Sequence, residues 1–128
     1  MKLKQSDNRA TPDWLKDIFE GYFDPCPLNP NPSIDGLELE WGDKTFLNFP
    51  YSNPKPWIIK AIQESKKGKK IVILMRFDPT TEYFRMLIEN HAHIFYCGER
   101  LKFINPEEKI NYASPFPSIL VILNTKEN

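Results

Sequence analysis

The sequence predicts a three-layer α/β domain, with a mostly parallel central sheet, helices on both faces and an antiparallel pair at its C-terminal edge. Three observations lead there. Ile71-Val72-Ile73-Leu74-Met75 is an unbroken apolar run rich in β-branched residues, the pattern of a strand covered on both sides. Strand-like and helix-like segments alternate around it from Thr45 to Ile88. The last two strand-like segments, Leu101–Ile104 and Ser118–Leu123, have no helical pattern between them, so they pair antiparallel. A chain of 128 residues, 41% of them hydrophobic, suffices for a single domain over 1–128.

The elements follow in order. Residues 1–10 are polar and read as flexible, as do 124–128. Thr11-Pro12-Asp13 is a helix start, with Thr11 as N-cap, proline in the first turn and an acid at the positive end of the dipole. Trp14, Leu15, Ile18, Phe19 and Tyr22 form its apolar stripe, and Gly21 is the expected stop. Tyr22-Phe23-Asp24 reads as a short strand. From Pro25 to Gly42 four prolines and several turn formers exclude regular helix, and a loop of that length in a small domain points to function. Thr45-Phe46-Leu47 is a short buried strand. Trp57, Ile58, Ala61 and Ile62 mark a second helix ending at Gly68. Tyr83, Phe84, Leu87 and Ile88 mark a third, capped by Thr80 or Thr81, and Ile94-Phe95-Tyr96 is a further strand.

Composition narrows the function. Seventeen basic and seventeen acidic residues give zero net charge, which argues against gripping long duplex through phosphates. Lys66, Lys67, Lys69 and Lys70 form the basic cluster, read as a solvated helix end. Cys26 and Cys97 do not make a disulfide framework, no metal-ligand spacing is present, and His91 and His93 read as structural. With no signal peptide and no membrane-length apolar run, a cytoplasmic location is expected, that of a host cell if the chain is virus-encoded.

Asn48-Phe49-Pro50-Tyr51-Ser52 is the run with the clearest chemistry. An exocyclic amine on a nucleobase is a poor nucleophile, because its lone pair is delocalised into the ring. Two acceptors aimed at its two N–H bonds turn that lone pair out of the ring plane. The Asn48 side-chain oxygen and the Phe49 carbonyl supply such a pair, Pro50 stiffens the turn, and Tyr51 offers a face for stacking. Ser52, Asn53 and Trp57 adjoin this position on the substrate side. Asn and Pro also build ordinary turns, but here they follow a strand, where open sheets place their ligands.

Taken together with its neighbours, this motif makes the chain resemble the phage-type DNA N6-adenine methyltransferases from about Thr11 to Leu123. The resemblance rests on Thr11-Pro12-x-Trp14, Phe23-Asp24-Pro25-Cys26, Asp35-Gly36-Leu37 with Trp41, and Asn48 to Asn53 with Trp57. Phe84, Gly98 to Phe103 and Phe116-Pro117-Ser118 complete it. It implies a reduced Rossmann-like methyltransferase fold that uses S-adenosylmethionine. Thr11, Pro12, Asp24, Pro25, Cys26, Asp35 and Asn48 then line the cofactor. The implied partner is DNA, flipped or single-stranded, methylated with little site preference.

Two departures stand out. Phe49 replaces the family's usual proline, which leaves the carbonyl in place; the ribosomal RNA adenine dimethyltransferases are similar in accepting Leu or Ile there, so RNA stays open. Only 24 positions (48 − 24) separate Asp24 from Asn48, and no G-x-G loop follows Asp24. The cofactor region is therefore abbreviated, with Glu38, Glu40 and Asp43 as candidate ribose-binding acids and a homodimer as one way to complete the pocket. A binding module without catalysis and a methyltransferase acting on a glutamine amide are the other readings.

Overall fold

The computed structural model describes residues 11–27, 35–96, 102–105, 110–113 and 117–124. Its elements are α1 (Asp13–Ile18), β1 (Lys44–Leu47), α2 (Pro54–Ser65), β2 (Lys70–Arg76), α3 (Glu82–Glu89), β3 (His93–Tyr96), β4 (Lys102–Asn105), β5 (Ile110–Ala113) and β6 (Ser118–Leu123). The terminal segments expected to be flexible lie outside the described residues, except Asn124. Its side-chain amide donates to the Lys69 carbonyl at 3.2 Å.

β2 organises the domain. Ile71 to Met75 are all buried, because helices cover both faces of this strand. On one face Ile71, Ile73 and Met75 meet Trp57, Ile58, Ala61 and Ile62 of α2 and Phe84 and Leu87 of α3. On the other, Leu74 packs with Leu15 of α1, Phe19, Phe46 and Leu120. Each fully buried leucine contributes roughly 1.5–3 kcal/mol.

The four-stranded sheet runs β1-β2-β6-β3. β1 and β2 are parallel, with Lys44 opposite Lys70 and Leu47 opposite Ile73. β6 pairs antiparallel with both β2 and β3. The sheet is therefore mixed, and its antiparallel strand is internal, which corrects the expected C-terminal edge. The reason lies in the side chains. Ser118–Leu123 is apolar on both faces, with Ile119, Val121 and Leu123 buried on the α2 side and Leu120 on the α1 side, so it needs two covered faces. β3 leaves His93, Phe95 and Tyr96 exposed and takes the edge. β4 pairs instead with β5 in a separate two-stranded sheet.

Two further expectations change. α1 is only six residues long, and Trp14 and Ile18 face outward at 54% and 61% exposure, while Leu15 and Phe19 face the sheet. The basic cluster is not uniformly solvated. Lys69 is buried; its ammonium lies 3.0 Å from Glu64 Oε1 and donates to the Trp41 carbonyl at 2.6 Å. Glu64 is fully covered, accepts from the Trp41 N–H at 2.6 Å and pairs with Lys67 at 2.6 Å. Burial pushes the Glu64 pKa up, but Lys67, the Trp41 N–H and Lys69 together outweigh it and bring it down to about 2. Its carboxylate therefore stabilises the fold above its ordinary value of 4.5, and that stabilisation disappears as pH falls towards about 2.

Glu64→Gln is expected to cost roughly 3–5 kcal/mol at neutral pH, because it leaves Lys69 buried without its counter-charge. Urea denaturation between pH 7 and pH 3 checks this: the wild-type advantage over the variant should shrink as the solution is acidified.

Candidate active site

The predicted site residues gather at the carboxyl ends of neighbouring parallel strands. Phe23 bridges Thr45 in parallel fashion, donating its N–H to Lys44 O at 2.8 Å and accepting from Phe46 N at 2.9 Å. The chain then leaves the sheet at Asp24 beside β1, which itself ends at Leu47, one residue before Asn48. Adjacent strands lie about 4.8 Å apart, so the two loops start as neighbours.

Thr11 and Asn48 meet directly. The Asn48 amide nitrogen donates to Thr11 Oγ1 at 3.1 Å. The expected N-cap of α1 is therefore not the cap: Pro12 holds that position without a side-chain cap bond, its carbonyl accepting from Leu15 and Lys16 N–H at 3.0 Å each. The hydroxyl released from capping ties the start of α1 to the motif. With its nitrogen so engaged, the Asn48 amide turns its oxygen away from Thr11.

Within the motif, side chain and backbone divide the work. The Phe49 ring is buried in the core, so a side chain other than proline here is accounted for by packing. The Pro50 carbonyl accepts from Asn53 N at 3.4 Å and closes the turn into α2, whose first turn holds Pro54 and Pro56. Tyr51 is half-buried, meets Phe49 edge-on at 6.4 Å, and lines a cavity of about 10 Å³ with Pro54, Met75, Arg76 and Tyr83. That space holds about one water. Anything larger than a water meets Tyr51 from its exposed side. Ser52 and Asn53 are exposed beside it.

The loops carrying Asp24 and Asp35 are locked together. A Cβ on Gly36 would sit 1.8 Å from the Pro25 carbonyl oxygen and 3.0 Å from the Trp57 ring, so only glycine allows this approach. Trp57, expected on the substrate side, is buried beneath that contact and stacks on Trp41 at 6.4 Å. The Trp41 indole N–H donates to Gly36 O at 2.8 Å. Asp24 and Asp35 each accept from the N–H two residues on, those of Cys26 and Leu37, at 2.9 Å. Burial pushes the Asp24 carboxyl pKa up, against the lowering effects of the Cys26 N–H and of Lys16. Cys26 packs against the core cluster, and Cys97 lies outside the described residues.

Of the three candidate ribose acids, Glu40 and Asp43 stand at the wrong end of β1. Glu40 is within 3.4 Å of the buried Lys69, and the Asp43 carbonyl accepts from Lys70 N at 2.9 Å, at the amino ends of the strands. Glu38 stays with the Asp35 turn, its N–H bonded to Asp35 O at 2.9 Å. His91 is exposed and follows α3 with φ 61°, its backbone N–H donating to Ile88 O, a helix-ending role. Among the described residues no cluster of His, Cys, Asp or Glu has metal-binding geometry, and no helix is long and apolar enough to cross a membrane.

Sequence reasoning missed Glu64 and Arg76, and gave Tyr83 only a place on the third helix. Glu64 had a signal: it falls seven residues after Trp57 and three after Ala61, on the apolar stripe of α2, where a lone acid must find a buried partner. Arg76 closes an apolar strand at its carboxyl end, and its guanidinium lies 3.8 Å from Asp78.

A polar corner at the carboxyl ends of parallel strands, fastened to the amino-terminal helix, is characteristic of α/β proteins that bind a ligand in that crevice. The whole chain, residues 1–128, matches the family model described as DNA N-6-adenine-methyltransferase (Dam), and it belongs to that family. The DNA N-6-adenine-methyltransferase of Haemophilus phage HP1 (strain HP1c1) is 33% identical, over 98% of this chain and 83% of that protein. No solved structure matches the chain.

Gly36→Ala is expected to separate the Pro25 and Asp35 loops. The readout is intrinsic fluorescence, which should report altered Trp41 and Trp57 environments together with a lowered melting temperature.

Proposed function

We propose that this protein transfers a methyl group from S-adenosylmethionine to N6 of adenine in DNA, on a base flipped from the duplex or taken from a single strand. The observation that carries this reading is the Thr11–Asn48 bond, which joins the segment expected to line the cofactor to the motif expected to hold the base. Family membership and the name of the phage HP1 relative support the same reaction.

S-adenosylmethionine, when bound, supplies an electrophilic methyl on a sulfonium. The residues present suit such a group. Asp24 bonds Cys26 N–H through Oδ1, which leaves its second oxygen as an acceptor for an ammonium. Its raised pKa marks a carboxylate that gains from a nearby cation. Asp35 and Glu38, on the turn held against Pro25, are the acids we assign to the ribose.

On the substrate side, Asn48 Oδ1 and the Phe49 carbonyl accept the two N6–H bonds and expose the nitrogen lone pair. Pro50 and the Asn53–Pro50 hydrogen bond hold that geometry. Tyr51 carries the base on its ring. Fixed acceptors and alignment supply the rate, with no strong base required.

Asn48→Ala is expected to lower methyl transfer by roughly 100-fold or more while the far-ultraviolet circular dichroism stays that of a folded domain. Tyr51→Ala is expected to raise KM for the oligonucleotide, by an amount matching roughly 1–3 kcal/mol of stacking. Labelled methyl transfer to adenine-containing oligonucleotides measures both. A near-normal rate in the Asn48 variant removes that residue from the chemistry.

A further inference from the structure

We propose that a groove beside the first turns of α2 seats the sugar-phosphate backbone of the strand next to the target base. The identity of the partner rests on the methyltransferase reading; the site itself rests on geometry. The groove is shallow and open to solvent, about 500 Å³ between Leu37 of the Asp35 turn and α2, against about 10 Å³ in the cavity beside Tyr51. Asn53, Pro56, Ile59, Lys60 and Gln63 recur at three- and four-residue spacing and so share one stripe of the helix. The buried stripe of Trp57, Ile58, Ala61 and Ile62 faces the core instead.

The lining suits a phosphodiester. Leu37, Pro56 and Ile59 form an apolar floor for sugars, while Asn53 and Gln63 offer amide donors. Among the described residues, two ammonium groups, Lys55 and Lys60, line it and no carboxylate does. In a chain of zero net charge, that is a local concentration of positive potential. Lys55 is paired with Glu82 at 3.2 Å, but both side chains are at least half exposed and its ammonium has two further N–H donors. The groove also begins where the motif ends: Asn53 closes the turn that starts at Pro50, two residues beyond Tyr51. A strand whose adenine lies on Tyr51 continues into the groove. A peptide would find there neither an exposed strand edge nor an aromatic clamp, and a duplex would need a wider basic face.

The test is anisotropy of a fluorescein-labelled, adenine-containing single-stranded oligonucleotide, titrated over a range of salt concentrations. Three variants are compared with the wild type: Lys60→Gln, Lys55→Gln with Lys60→Gln, and Lys66→Gln as a matched loss of charge at the other end of α2. The double variant should bind about tenfold more weakly, and its slope of log affinity against log salt should flatten by about 1.4, close to 0.7 per lost phosphate contact. Lys60→Gln, which leaves the Lys55–Glu82 pair intact, should lose about half that slope, and Lys66→Gln should match the wild type. Unchanged affinity and slope in the double variant, an equal loss in Lys66→Gln, or no binding by the wild type overturns the groove. The methyltransferase reading fails separately: groove-dependent binding without methyl transfer sinks the activity and keeps the groove, and methyl transfer with groove-independent binding does the reverse.

Discussion

A single hydrogen bond, from the Asn48 amide to the Thr11 hydroxyl, joins two segments 37 residues apart at the end of β1. Threonine before proline at a helix start is ordinarily a cap, and its hydroxyl belongs to the helix. Here Pro12 takes the cap position and needs no side-chain acceptor, since α1 is short and its first free N–H groups reach the Pro12 carbonyl. The spared hydroxyl orients an amide at the end of β1. An amide with one end held can present its other end at a fixed angle, which catalysis by alignment requires.

Beneath that corner lies a stack of contacts running through the domain. Glu64 and Lys69 hold Trp41 by its N–H and carbonyl, Trp41 holds Gly36 through its indole, and Gly36 rests against Pro25 over Trp57. A buried charge pair is costly to form and more costly to break by halves. It therefore fixes the two described ends of the proline-rich segment, at Pro25 and from Gly36 to Trp41.

Much of this was legible in the residues. Apolar periodicity located α2, β2 and α3, because those elements are buried along continuous stripes, and Thr81, one of two expected caps, does accept from Phe84 N. The position of the motif after β1 followed from a short apolar run ending in Asn-x-Pro. Sheet order was not legible. Ser118–Leu123 reads as a strand, but its insertion between β2 and β3 depends on which neighbour covers its second face, a tertiary fact. Trp57 carried two readings, a substrate neighbour of the motif and a member of the apolar stripe of α2, and the stripe accounts for its burial. Lys69 looked like part of a solvated run because the stripe of α2 marks Glu64 as buried without saying which lysine turns inward to meet it.

The most direct measurement compares Thr11→Val with Thr11→Ser in the rate of methyl transfer to an adenine-containing oligonucleotide. Valine keeps the shape of threonine and removes the acceptor, whereas serine keeps the acceptor. The valine protein is expected to turn over about tenfold more slowly, the equivalent of roughly one hydrogen bond, with serine close to the wild type. A valine protein as fast as the wild type would contradict the claim that this bond sets the catalytic corner.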